Sequence, residues 1–287
     1  MNSLNWQLNE LQKHHREGSF STQNSRKECL SLVAKQLREL GYNRFQLTSL
    51  KAKHVSKLIE KWQAESLANG TIKNRMTHIR WWARKVNRAQ VIPGNDALGI
   101  ERRVTAINQS KAVVLKQEHL SKITDTNIQD SLKLQAVFGL RREESIKFMP
   151  QYADRGSHLE LKGSWCKGNR VREIPINTLE QRNLIDELKM KYGSASLIPA
   201  ERRYVDQLNI YKNAVPASGL GKGHGLRHRY AQIRYLELSG QACPAAGGQH
   251  QKDMTPEQRE ADRAVRLQIS AELGHAREQI TAVYLGS

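Results

Sequence analysis

The chain has 287 residues, with 46 Lys+Arg against 28 Asp+Glu and a formal net charge of +18. Its length suggests two domains, and its 38% hydrophobic content excludes a disordered composition. No uncharged apolar run approaches the ~18 residues of a membrane helix, and the start, MNSLNWQLNELQKHH, lacks a signal-peptide pattern, so we expect neither a membrane protein nor a secreted one.

The three cysteines, Cys29, Cys166 and Cys243, are far apart and form no CxxC pair. This usage indicates a reducing compartment and argues against a disulfide framework or a Cys-rich zinc site. The basic charge predicts a polyanionic partner, most commonly nucleic acid. A ribosomal protein or a merely well-solvated basic surface is the alternative at this level.

The charge is concentrated in the first part of the chain. Residues 1–110 contain 19 Lys+Arg and 8 Asp+Glu, a net charge of +11, and the remaining 177 residues carry +7. The first part is therefore expected to bind DNA, and the second part has a more even balance of basic and acidic residues.

The first part reads as helical, with apolar residues at helical spacing in three segments: 24–40, 53–68 and 70–89. The third segment has an apolar stripe and basic residues on its other faces. These basic residues are expected to contact DNA phosphates: Lys73, Arg80, Arg84, Lys85 and Arg88. A face that is only solvated is the alternative.

Residues 92–110 lose the periodicity and predict an interdomain connection, so we expect a helical domain over 1–105 and a second domain over 106–287. A strand-like section over 158–176 surrounds a Lys167-Gly168-Asn169 turn. The predicted helices of the second part span 116–125, 129–138, 178–192, 224–238, about 256–273 and 276–284. The fold class expected is mainly α with a small antiparallel β-sheet.

Four short motifs follow one another in the second part. They are FGLRREE at 138–144, KGNRVREIPI from Lys167, HGLRH at 224–228, and ELGHAREQITAVY, in which His275 precedes Tyr284 by nine residues. In HGLRH, His224 and Arg227 are one helical turn apart and share a face.

These motifs resemble those of the tyrosine recombinase, or phage-integrase, family, which has a GLR-x-x-E box, a Lys on a β-turn, an H-x-x-R-H box, an LGH box and a Tyr nucleophile. The resemblance covers the whole second part and, more loosely, the first, which is similar to a helical core-binding domain. It implies an α+β catalytic domain whose catalytic residues are Arg141, Lys167, His224, Arg227, His275 and Tyr284.

Cleaving a phosphodiester without a metal requires a nucleophile, charge stabilisation and an acid for the leaving group. Arg141 and Arg227 offer planar forks for the scissile phosphate. Tyr284 is the expected nucleophile, with His224 or His228 as its proton acceptor.

The remaining motif residues are expected to have other roles in the same reaction. Lys167 is expected to protonate the departing 5′ oxygen, and His275 to hydrogen-bond the transferring phosphate. Glu144 is expected to orient the active-site helix or His228, without touching the substrate.

Some alternatives compete with these assignments. Arg142 replaces Arg141 if the register is off by one, and Lys162 competes with Lys167. The run GLGKGHG at 219–225 lacks the GK[ST] ending of a phosphate loop, which argues against ATP binding. A zinc site from His224, Cys243 and His250 has no regular ligand spacing, so no metal or other cofactor is expected.

The chain departs from the family pattern twice. Arg227 and His275 are 48 residues apart, about twice the separation that the resemblance implies, and the excess lies in the segment 241–264. In addition, only three residues follow Tyr284, where many relatives have a further helix or strand. We expect the 241–264 segment either to contact a neighbouring protomer or to restrain the Tyr284 segment.

The resemblance implies a site-specific recombinase or integrase that binds double-stranded DNA and forms a 3′-phosphotyrosine intermediate. It further implies a homo-tetramer on two DNA sites, together with another recombinase or an accessory DNA-bending protein in some relatives. The setting expected is bacterial mobile DNA, in the cytoplasm and at the nucleoid. A catalytically silent accessory factor and a type IB topoisomerase-like enzyme are the alternatives.

Overall fold

A computed structural model of the protein describes residues 3–101, 109–275 and 280–287. The chain divides into two compact units, Met1–Val104 and Thr105–Ser287. The domain boundary predicted at 105/106 falls within 102–108, outside the described residues. Within the described ranges, no helix is both long and apolar enough to cross a membrane.

The first unit is helical. Its helices are α1 (Leu4–His14), α2 (Phe20–Glu39), α3 (Ala52–Ala64) and α4 (Asn69–Lys85). The sequence predicted α2 to α4 but not α1, which begins at a cap where the Ser3 hydroxyl accepts from the Trp6 amide. Ser19 caps α2 in the same way, so that helix begins four residues before its predicted start at residue 24.

The core of the first unit is built around two fully buried tryptophans, Trp62 and Trp82. Trp62 Nε1 donates to Gln36 Oε1 (2.9 Å) and Trp82 Nε1 to the Leu47 carbonyl (3.0 Å), so neither indole N–H is left unpaired. The predicted apolar stripe of α4 packs into this core, which leaves the basic residues of that helix on its outer faces.

The second unit combines helices with one antiparallel strand pair, β1 (His158–Leu161) and β2 (Arg172–Pro175). Its helices are α5 (Gln117–Ser121), α6 (Thr126–Phe138), α7 (Arg142–Ile146), α8 (Pro150–Ala153), α9 (Leu179–Tyr192), α10 (Tyr204–Val215), α11 (His224–Ser239), α12 (Pro256–Glu272) and α13 (Ala282–Leu285). The predicted class, mainly α with a small antiparallel sheet, is confirmed.

Several predicted bounds in this unit were wrong. The helix expected over 116–125 ends at Ser121, and α7, α8 and α10 were not predicted. Of the helix expected over 276–284, residues 276–279 lie outside the described residues, and Ala282–Leu285 is helical.

The strand pair forms a hairpin whose connection carries the predicted turn. Leu161 pairs with Arg172, and Gly168 and Asn169 both have positive φ (80° and 55°), which lets the chain reverse after Lys167. Helix α11 packs against α6, α12 and α13. As a result, the start of α11, the end of α6, β2 and the residues after α12 meet at one place.

Candidate active site

The GLR-x-x-E box forms the turn from α6 into α7. Gly139 ends α6 with φ 61°, and a Cβ there would run into the Tyr230 ring, so this position requires glycine. Arg141 caps α7, and the Glu144 carboxylate accepts from its backbone amide (2.6 Å) and from Nη1 (2.7 Å). Arg142, the alternative, is exposed and lies over the Tyr211 ring instead. The geometry therefore favours Arg141.

Arg227 makes hydrogen bonds to residues of both the GLR-x-x-E box and the LGH segment. It lies on the first turn of α11, is only 1% exposed, and donates through Nη1 to the Gly139 carbonyl and through Nη2 to the Leu273 carbonyl. Its Nε donates to the Tyr284 hydroxyl (3.2 Å). Burial lowers the pKa of Arg227 to about 10, which still leaves the guanidinium charged at neutral pH.

The LGH box brings His275 to the same arginines. His275 Nε2 lies 3.3 Å from Arg227 Nη2 and 3.5 Å from Arg141 Nη2, and since a guanidinium only donates, Nε2 is the acceptor. Burial, reinforced by the charges of Arg227, Arg141 and Arg172, lowers the pKa of His275 to about 3. The ring is therefore neutral at pH 7, with its proton on Nδ1.

Two further histidines surround Tyr284, which is itself 5% exposed. The centroid of the His228 ring lies 4.7 Å from that of the tyrosine ring, and the centroid of His224 lies 5.8 Å from it. Burial, together with the charges of His224, Lys111 and Arg227, lowers the pKa of His228 to about 4. A neutral imidazole next to the tyrosine ring is suited to accept the hydroxyl proton.

Lys167 differs from the other predicted catalytic residues in that it lies on the hairpin turn. It is exposed on the hairpin turn, although it lines one cleft of about 720 Å³ together with Arg141 and His275. The competing Lys162 has structural partners: its Nζ lies 4.1 Å from the centroid of the Tyr152 ring and donates to Met149 Sδ (3.4 Å). Lys167 is the better candidate because it is exposed and lines the cleft, and the described residues show no aromatic ring holding its ammonium.

Arg172, on β2, is a site residue that sequence reasoning missed. Its Nη2 donates to Glu144 Oε2 (2.6 Å), so Glu144 lies between two arginines. Through its bond to the Arg141 amide, Glu144 also fixes the start of α7, which favours the first of its two expected roles, orienting the active-site helix, over orienting His228. The available signal was the strand register, since Arg172 shares the inward face with Ile174.

We call Arg141, Arg172 and Arg227, with Glu144 between them, the arginine cluster. Burial alone raises the pKa of Glu144, but the charges of Arg172, Arg141 and Arg227 outweigh it and hold the pKa below its ordinary value. Arg141 and Arg172 pair with this carboxylate and Arg227 adds a third positive charge nearby, so positive charge is in excess, a combination suited to bind an anion. Among the described residues, no group of three His, Cys, Asp or Glu side chains is arranged to hold a metal ion.

The 241–264 segment is folded onto its own chain. Cys243, Ala245 and Met254 are buried, and the Gly286 backbone packs against Pro244 and Ala245. We call residues 243–254, with Asp262 and Arg266, the C-terminal clasp.

Arg266, which is fully buried, connects the clasp to the last residues of the chain. Its Nε donates to both Asp262 oxygens (2.9 and 2.7 Å) and its Nη1 to the Gly286 carbonyl (2.8 Å). These contacts support the second expectation for this segment, that it restrains the Tyr284 segment.

The predicted DNA contacts divide into two groups, and Arg88 lies just beyond α4, because that helix ends at Lys85 and not at residue 89 as predicted. Arg80 donates to the Pro93 carbonyl and to Asn95 Oδ1 (2.8 Å), and Lys85 pairs with Glu17. Lys73 is half-buried, whereas Arg84 and Arg88 are exposed. Arg84 and Arg88 are therefore the members whose charge is most accessible to an external phosphate.

A family model matches the first unit of the chain. Residues 1–92 match the family described as phage integrase, N-terminal. No curated protein sequence matches the chain.

Solved structures share the fold over almost the full length. XerH site-specific recombinase, in a post-cleavage complex with a palindromic difH substrate, is 13% identical with a TM-score of 0.61, covering 99% of this chain and 81% of that one. A lambda integrase dimer bound to a COC′ core site is 14% identical with a TM-score of 0.63, covering 99% and 77%. The Tn1549 transposon integrase in complex with circular intermediate DNA is 14% identical with a TM-score of 0.55, covering 100% and 96%.

The predicted resemblance is confirmed by these comparisons. Residues 1–92 match a phage-integrase N-terminal domain, and the chain shares the fold of the tyrosine recombinases named above.

Proposed function

We propose that the protein is a tyrosine-type site-specific DNA recombinase, or integrase, that cuts and rejoins double-stranded DNA through a 3′-phosphotyrosine intermediate. One observation carries this proposal: the Tyr284 hydroxyl accepts a hydrogen bond from Arg227, whose Nη2 also contacts His275 beside Arg141. A nucleophile, two phosphate-binding forks and a hydrogen-bonding imidazole thus meet at one point.

In the cleavage step, Tyr284 Oη attacks the scissile phosphorus, the Oη–P bond forms and the P–O5′ bond breaks. The tyrosine proton passes to His228 or His224, because the Arg227 Nε donor leaves the hydroxyl proton free to point to another acceptor. Lys167 protonates the departing 5′ oxygen. Arg141 and Arg227 stabilise the negative charge on the non-bridging oxygens.

Rejoining reverses the same bonds. The 5′ hydroxyl of a partner strand attacks the phosphotyrosine and gives its proton to the deprotonated Lys167. The P–O5′ bond forms as the P–Oη bond breaks, and Tyr284 regains its proton from the protonated histidine. Because the phosphotyrosine keeps the energy of the broken bond, the exchange needs neither ATP nor an activated cofactor.

The first unit contributes DNA binding, with Arg84 and Arg88 as the leading phosphate contacts. Four protomers on two DNA sites would form the working assembly. The matched lambda integrase structures, one a dimer on a core site and another a tetramer on a Holliday junction, support this arrangement by analogy of fold. The setting proposed is bacterial mobile DNA in the cytoplasm.

The test uses radiolabelled duplexes that contain candidate attachment sites, nicked so that cleavage traps the covalent complex. Wild-type protein should produce an adduct on a denaturing gel, and Tyr284→Phe should bind the same DNA without producing one. An adduct in both proteins would overturn the assignment of Tyr284, and an adduct in neither would indicate an accessory DNA-binding factor. Relaxation of a supercoiled plasmid that lacks any site would instead indicate a topoisomerase.

A further inference from the structure

We infer that Arg172 is a positioning residue for strand cleavage, which acts by fixing the Glu144 carboxylate and, through it, the Arg141 guanidinium. The inference rests on the proposed function, because it assigns Arg172 to the site where Tyr284 would attack.

The location of Arg172 is unusual for a cation. It begins β2 on the face that also buries Ile174, and it is only 5% exposed. A buried guanidinium is unfavourable unless it is paired and hydrogen-bonded. Burial indeed lowers the pKa of Arg172 from its ordinary value. Such a costly residue is expected to have a specific task.

The contacts of Glu144 indicate that task. One carboxylate oxygen, Oε1, accepts from Arg141 Nη1 (2.7 Å), and the other, Oε2, accepts from the Arg141 backbone amide and from Arg172 Nη2 (both 2.6 Å). Arg172 therefore supplies a rigid partner on the side of the carboxylate away from the Arg141 side chain. With that partner removed, the carboxylate can rotate, and Arg141 loses its fixed orientation toward His275.

Arg172 is also tightly enclosed by the LGH box. Gly274 has φ 65°, and a Cβ on it would lie 2.7 Å from Arg172 Cδ and 2.9 Å from Nη1. The glycine is thus required both by its backbone conformation and by the close passage of the chain over Arg172. This packing ties the hairpin to the residue directly before His275.

Arg172 does not need to touch the phosphate to act on it. Its Nε and Nη1 are buried and have no hydrogen-bond partner among the described residues, so part of its charge is uncompensated. The residue also lines the cleft that contains Arg141, Lys167 and His275. The surplus positive charge favours an anion in that cleft, while the Glu144 contact sets the position of Arg141.

The test compares full-length wild-type protein with Arg172→Met, Arg172→Lys and Glu144→Gln on nicked attachment-site duplexes. The rate of adduct formation at saturating DNA should fall about 10²-fold in Arg172→Met, the loss typical of small misplacements of reacting groups. DNA affinity should change little, since the DNA-gripping residues are elsewhere. Arg172→Lys, which keeps the charge but loses the fork, should recover only part of the rate.

A double-mutant cycle tests the route through Glu144. If Arg172 acts through that carboxylate, the double variant Arg172→Met/Glu144→Gln should cleave no more slowly than the worse single variant. Multiplied losses would overturn the inference. Arg182→Met is the control, because Arg182 pairs with Asp154 (2.7 Å) outside the cluster and Asp154 keeps Lys189 as a second partner (2.7 Å), so its cleavage rate should stay at the wild-type value.

A second measurement does not depend on cleavage. Inorganic phosphate should raise the melting temperature of the wild-type protein and of Arg182→Met more than chloride at the same ionic strength does, and Arg172→Met should lose most of that difference. Equal phosphate stabilisation in all three proteins, or wild-type cleavage by Arg172→Met, would overturn the assignment. A wild-type protein that binds phosphate through Arg172 but forms no adduct would overturn the proposed function and leave Arg172 in an anion site.

Discussion

Two buried ionic groups in the second unit differ in their charge balance. In the C-terminal clasp, Arg266 meets Asp262 one to one, and the Tyr235 hydroxyl donates to the same carboxylate (2.6 Å). In the arginine cluster, the single carboxylate of Glu144 pairs with both Arg141 and Arg172, and the Arg227 guanidinium adds a third positive charge nearby. A balanced pair is typical of a structural contact, whereas surplus buried charge of one sign predicts a missing partner of the opposite sign, here a phosphate.

The largest difference between the groups should appear in activity. Arg227→Met should reduce adduct formation at least about 10³-fold, since it removes a phosphate-binding fork and the donor to Tyr284. The same change should lower the free energy of unfolding by no more than about 1–2 kcal/mol, because the missing hydrogen bonds are offset by relief of burial and repulsion. Single-turnover cleavage and urea denaturation measure the two effects, and a near-normal rate would contradict the role of Arg227.

The clasp should respond in the opposite way. Asp262→Ala leaves the buried Arg266 without its carboxylate and should lower the free energy of unfolding by about 3–5 kcal/mol. The paired replacement Asp262→Leu/Arg266→Met should recover most of that loss. Urea denaturation checks both variants, and a single variant as stable as wild type would show that the pair does not support the fold.

The same clasp can be tested for its effect on the nucleophile. Replacing residues 243–254 with a short Gly-Ser linker should release Gly286 and slow adduct formation while DNA binding by single protomers is retained. Hydrogen exchange in residues 280–287 should rise in the shortened protein. Unchanged exchange and an unchanged cleavage rate would mean that the segment is only a tolerated insertion.

Acid should weaken the fold through the histidines of the site. The pKa of His275 is lowered to about 3 by burial and by Arg227, Arg141 and Arg172, with Glu144 opposing. The unfolded chain, with an ordinary pKa near 6.5, therefore binds more protons in this interval, and stability should fall as the pH drops from about 6.5 toward 3. His275→Gln should make the decline shallower in thermal melts across this range, and an identical slope would contradict the buried, neutral state of His275.

The smallest expected effect concerns the two exposed arginines on and just after α4 that are predicted to contact DNA phosphates. Replacing the exposed Arg84 and Arg88 with Gln should reduce the log–log salt slope of DNA binding by ~0.9 for each phosphate that the protein then fails to neutralise. Lys57→Gln is a suitable control, because Lys57 is paired with Glu60 (2.7 Å) on α3. Slopes equal to wild type in the Arg variants would show that this face is only solvated.

The sequence predicted those features of the site that depend on residue type and on the order of the motifs. The GLR-x-x-E, H-x-x-R-H and LGH boxes identified Arg141, Arg227 and His275, and the structure brings them to Tyr284.

Other features could not be read from the pattern. Arg172 was missed because a charged strand residue is ordinarily exposed, and only three-dimensional packing reveals that this one faces inward. The sequence predicted that the 241–264 segment could restrain the Tyr284 segment but not how it packs, because its buried anchors, Cys243, Ala245 and Met254, are small or isolated and follow no period.

The central claim is that Tyr284 itself becomes bonded to the 3′ end of the cleaved strand. The direct measurement is to digest the trapped adduct with protease and nuclease and to locate the nucleotide by tandem mass spectrometry. We expect a nucleotide 3′-phosphate on the peptide that contains Tyr284, with a free 5′ hydroxyl on the other DNA fragment. A nucleotide on any other side chain, or a 5′-phosphate linkage, would contradict the proposed 3′-phosphotyrosine mechanism at Tyr284.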